Sequence, residues 1–93
     1  MEEKKQIQIK ADDQTAKGAY ANNLVISHSK EEFILDFMNI FPPQGALLAR
    51  IFTSPGHAKR IQKALEENIK NYENKFGKIS ESEIPQQNIG FKA

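Results

Sequence analysis

The chain contains no cysteine and no tryptophan. Without thiols there is no disulfide framework, no thiolate nucleophile and no Cys-ligated metal, and an oxidising compartment is not required. Long apolar runs are also missing: nothing approaches the roughly 18–20 residues that span a bilayer. The opening MEEKKQIQIKADD has acids and lysines but no apolar core behind them, so it does not resemble a signal peptide, and the expected location is cytoplasmic with no membrane partner. Charge of one sign is scarce as well. Thirteen Lys and Arg against twelve Asp and Glu leave a formal net charge of +1, without the basic excess of a protein that coats nucleic acid unselectively. Any basic patch has to be local.

Catalytic groups are sparse too. The two histidines, His28 and His57, lie on different segments, and neither an HExxH motif nor a ligand-spaced carboxylate cluster is present. Asp36 stands alone in an apolar stretch and needs a partner before its proton can matter. The sequence therefore points away from an enzyme, with no catalytic residue, no metal site, no cofactor and no evident small-molecule substrate. Ninety-three residues make one domain, and a domain of that size buries only about 60–65% of its unfolded surface, so its stability is modest or shared with a partner.

What is present is a run of strand patterns followed by one helix pattern. QIQIK at residues 6–10 alternates polar and apolar, the period of a half-buried strand with Ile7 and Ile9 inward. ADDQTAKG is turn-forming. AYANNLVISH supplies a second strand, with Asn22 and Asn23 as a bulge or ligand-facing pair. Ser29 and Glu32 have capping-box spacing, which fits one helical turn between strands. FILDFMNIF at residues 33–41 fits both periods in part, and its aromatic and β-branched content tips it toward strand. Pro42-Pro43 must end that segment. ALLARIFTS then forms a fourth strand, with Leu47, Ala49, Ile51 and Thr53 on one side and Leu48, Arg50 and Phe52 on the other. The expected fold is α+β, a four-stranded antiparallel sheet followed by one long C-terminal helix (ββββα). Residues 1–78 would form the domain and 79–93 a polar tail.

The helix has clear ends. Ser54 suits the N-cap, Pro55 the first helical position and Gly77 the C-terminal stop, about 22 residues in all. Ala58, Ile61, Leu65, Ile69, Tyr72 and Phe76 recur at steps of three and four and form one apolar stripe. A helix of about 22 residues spans roughly 33 Å, longer than a small sheet is wide, so the end near Tyr72 and Phe76 is expected to overhang and meet another subunit. Between Phe37 and Leu65 there is no Asp or Glu. Arg50, Ser54, His57, Lys59, Arg60 and Lys63 therefore make the candidate anion or partner surface around the helix start. The tail KISESEIPQQNIGFKA offers Ile84, Ile89 and Phe91 as anchors for a partner groove.

Several of these segments resemble a family of short bacterial proteins known as domain of unknown function 3467. They are Tyr20–Asn22, the turn ending at Phe33, Leu35–Phe37, Ser54–Arg60 and Asn68–Gly77, and the resemblance covers about residues 5–78. That family has no assigned activity, so it carries over no catalytic residue. Some members are encoded close to genes for the large subunits of RNA polymerase, which implies a transcription-linked role. Two readings follow. In one, the protein is an interaction module, dimeric or docked on a larger assembly such as RNA polymerase. In the other, it binds nucleic acid through a basic and aromatic face of sheet and helix start, by fold-level analogy with single-strand-binding regulators.

Overall fold

The computed structural model describes residues 6–81. Five elements follow in order: α1 (Asp13–Lys17), β1 (Asn23–His28), β2 (Phe33–Phe41), β3 (Gln44–Thr53) and α2 (Pro55–Phe76). They divide into two compact units between Ala58 and Lys59.

The first unit is built on an antiparallel sheet of order β1-β2-β3. This is three strands rather than the expected four. Residues 6–10 form no strand, and Ile7 and Ile9 are more than four-fifths exposed. Alternation alone does not make a strand, because a strand is stable only where a neighbour satisfies its backbone groups. The following turn-forming segment is a single helical turn, α1, in which the Asp12 carboxylate accepts from the Thr15 N–H at 2.6 Å and Gly18 closes the end at φ 78.

The stretch at 33–41 is a strand throughout. β1 and β2 form a hairpin in which His28 faces Phe33, and the four-residue connection is not a helical turn. Its Ser29 N–H donates to the Glu32 carbonyl at 2.9 Å, while the Ser29 hydroxyl accepts from the N–H groups of Glu31 and Glu32, both at 3.3 Å. Pro42-Pro43, joined by a cis peptide, makes the two-residue link between Phe41 and Gln44.

Register in the β2–β3 hairpin changes once. From the turn outward, Phe41 faces Gln44 and Met38 faces Leu47, but Phe37 faces Ala49, leaving Leu48 without an opposite number. Such a bulge reverses the side on which residues beyond it lie. Leu47 therefore shares the face of its partner Met38 rather than that of Ala49, Ile51 and Thr53, as strict alternation had suggested. One face carries the rows Leu24–Phe37–Ala49, Ile26–Leu35–Ile51 and His28–Phe33–Thr53; the other carries Val25–Asp36–Arg50 and Asn23–Met38–Leu47.

The described part of the second unit is mainly α2, which begins and ends where its caps lie. The Ser54 hydroxyl accepts from the His57 N–H at 3.1 Å, and its carbonyl accepts from the Ala58 N–H. At the other end Gly77, at φ 99, donates its N–H to the Glu73 carbonyl, a backbone conformation that favours glycine.

Candidate interaction surfaces

The bulge at Leu48 has a chemical consequence. An unbroken two-residue hairpin would set Asp36 against Ala49; the extra residue sets it against Arg50. The two side chains form a forked pair, with Arg50 Nε donating to Asp36 Oδ1 at 2.8 Å and the second guanidinium nitrogen to Oδ2 at 3.1 Å. Asp36 is one of three buried residues among those described, 6% exposed, while the Arg50 side chain remains about half exposed. The guanidinium hydrogen bonds hold the Asp36 carboxyl below its ordinary pKa against the opposing effect of burial, and the same pairing raises that of Arg50. Asp36 has thus found the partner that its position demanded, and Arg50 spends its charge on it.

Asn22 performs a different task from ligand binding. Its side-chain amide sits beside β2 just past the end of β1 and engages Ile40 twice, accepting from the Ile40 N–H at 2.8 Å and donating to the Ile40 carbonyl at 3.0 Å. The amide reproduces the donor and acceptor of a peptide group, so it extends the ladder by one pair. Nothing in composition signals this role, and the reading of Asn22 with Asn23 as a bulge or ligand-facing pair missed it. Asn23 is the first residue of β1.

The remaining predicted site residues divide between the units. Ser54 caps α2 and His57 lies in its first turn, while Lys59, Arg60 and Lys63 follow along the helix. Lys59 and Lys63 stand one turn apart and share a side with Lys70, and Arg60 lies about 100° further round than Lys59. Glu66 and Glu67 interrupt this basic side. Tyr72 and Phe76 form a ring pair 5.0 Å apart, with the Lys75 ammonium 5.3 Å over Phe76. Both rings are at least half exposed. Ile84, Ile89 and Phe91 lie outside the described residues.

Apolar side chains are the main feature of both units. On the sheet Leu24, Ile26, Leu47, Ile51 and Phe52, and on α2 Leu65, Ile69, Tyr72 and Phe76, are each two-fifths exposed or more. Among the described residues, no group of three or more His, Asp or Glu could hold a metal ion, and no helix is long and apolar enough to cross a membrane. An open hollow near the β2–β3 turn is lined by Asn39, Phe41, Gln44 and Leu48, without a charged group to direct chemistry.

These features define a small α+β protein, a three-stranded antiparallel sheet leading into one long helix, whose apolar surfaces outnumber its polar constellations. The chain belongs to the family described as protein of unknown function (DUF3467), whose match covers residues 1–81. Neither the curated proteins nor the solved structures gave a match.

Proposed function

We propose that this protein is a non-enzymatic interaction module that acts as a homo-oligomer or docked on a larger protein assembly. The observation that supports this most directly is the shortage of buried apolar side chains. Leu35 and Met38 are the buried hydrophobic residues among those described, against ten large apolar residues at least two-fifths exposed on the sheet and α2. Exposed apolar area beyond a few hundred Å² marks protein interaction, and a three-stranded sheet gains independent stability from a covered apolar face. Docking on RNA polymerase in the cytoplasm is the transcription-linked form of this reading, and it rests on the family resemblance alone. The test is light scattering over a concentration series, paired with pull-down by the native chain and by a Tyr72→Ala, Phe76→Ala variant. Association lost in the variant supports the reading. A strict monomer that captures the same proteins with or without the two rings removes it.

A second reading, nucleic-acid binding, draws on one feature: Lys59, Lys63 and Lys70 share a side of α2 away from the apolar stripe. Phosphate-driven binding weakens steeply with salt. Absence of binding to single-stranded DNA and RNA at low salt eliminates it, and reversal of Lys59, Arg60 and Lys63 to Glu abolishes any binding that is phosphate-driven.

A further inference from the structure

The apolar stripe of α2 has an internal repeat. Ala58, Ile61 and Leu65 recur eleven residues later as Ile69, Tyr72 and Phe76. Eleven residues are close to three full turns, so the six positions fall within about 80° of helix circumference and the stripe runs nearly parallel to the axis. A straight seam of this kind suits a second straight helix. None of the stripe is buried: Ala58 and Ile61 are half-buried, and Leu65, Ile69, Tyr72 and Phe76 range from 40% to 66% exposed.

We propose that the occupant of this stripe is the α2 helix of a second copy, packed antiparallel about a two-fold axis near residue 67. This rests on the interaction-module reading above and specifies its partner. Antiparallel pairing about that point sets Ala58 against Phe76 of the partner subunit, Ile61 against Tyr72 of the partner subunit, and Leu65 against Ile69 of the partner subunit. The smallest residue of the seam then meets a large ring at each end, and the middle is aliphatic on both sides. Parallel pairing would instead put Phe76 against its own copy and Ala58 against its own copy, leaving a bulky end and a hollow end.

Charge does not oppose this seam, since Lys59, Lys63 and Lys70 lie on the side of α2 away from the stripe. The exposed parts of Leu65, Ile69, Tyr72 and Phe76 amount to about 450–500 Å² per chain, so two copies together bring the order of 1,000 Å² out of water, the lower bound for a specific interface.

The absence of cysteine makes the test clean. Two full-length single-cysteine proteins, Ile61→Cys and Tyr72→Cys, are mixed, exchanged and oxidised. The expected product is the mixed disulfide dimer, with little self-linked Ile61→Cys, because two copies of residue 61 lie about 18 Å apart along the axis. Circular dichroism checks that each variant keeps its helix. As a second measurement, Phe76→Ala should weaken dimerisation roughly tenfold or more, and Ala58→Phe in the same chain should restore much of it by returning a ring to each end of the seam. Self-linked Ile61→Cys in preference to the mixed dimer, or no rescue by the size swap, overturns the antiparallel arrangement while a dimer seen by light scattering leaves the interaction reading intact. A chain that is monomeric at all concentrations and captures no partner overturns both.

Discussion

Replacing Asn22 by alanine removes one side chain and two hydrogen bonds, both to the backbone of Ile40. Beyond Asn23 no residue of β1 pairs with β2, so in the variant the Ile40 N–H and carbonyl on that side must turn to water. A hydrogen bond of this type contributes a net ~0.5–1.5 kcal/mol. Both lie in an exposed setting, which favours the lower half of that range, so the pair is worth about 1–2 kcal/mol. In a domain of this size 1 kcal/mol moves the melting temperature by about 4–8 °C, so Asn22→Ala should melt about 4–16 °C lower at the same protein concentration. Asn22→Asp is the sharper probe. It keeps an acceptor for the Ile40 N–H but sets a second oxygen against the Ile40 carbonyl, so at neutral pH it should be no more stable than the alanine variant. Thermal melts followed by circular dichroism decide this. If Asn22→Ala melts within 2 °C of the native chain, or Asn22→Asp matches the native chain, the amide does not serve as a ladder pair.

The forked pair makes stability pH-dependent in a stated direction. The folded Asp36 carboxyl lies below its ordinary pKa, so the folded chain binds fewer protons than the unfolded one; the stabilisation is present above about pH 4 and is lost as pH falls through the folded value. Asp36→Asn should flatten the acid limb of a melting-temperature profile relative to the native chain, and an unchanged limb would contradict the pairing. Ser54→Ala removes the hydroxyl that accepts from the His57 N–H and should cost about 1 kcal/mol, read as a melting temperature about 4–8 °C lower, with Ser54→Asp retaining most of the stability. Gly77→Val forces a β-branched residue to φ 99 and should destabilise the chain more than Gly77→Asn, which tolerates that region better.

The sequence announced α2 to the residue because its ends are written in local chemistry: a hydroxyl before Pro55, a glycine after Phe76, and a 3.6-residue apolar period between them. β2 was readable from its aromatic and β-branched content and from the proline pair that stops it. The first apparent strand failed because alternation at residues 6–10 carries no information about a neighbour. Register was equally hidden. Nothing local marks Leu48 as the residue that drops out of the ladder, yet that bulge moves Leu47 to the other face and delivers Arg50 to Asp36. The basic cluster was visible as a run of residue types, but the engagement of Arg50 was not, since a pairing fourteen residues apart depends on the turn and the bulge together. Asn22 was recognisable as a polar residue at a strand start, while its role as a surrogate peptide group needed the position of Ile40.

The central claim is that the exposed apolar surfaces of the sheet and α2 exist to be covered by protein. The most direct measurement is the molar mass of the native chain by light scattering across a concentration series from micromolar to millimolar, with melting temperature recorded at each step. The account predicts a mass that rises from or remains above the 10.5 kDa of one chain, reaching twice that value, with a melting temperature that climbs with concentration and a Tyr72→Ala, Phe76→Ala variant that stays at one chain mass. A constant mass of one chain with a concentration-independent melt, together with no protein captured from lysate that depends on Tyr72 and Phe76, would contradict it.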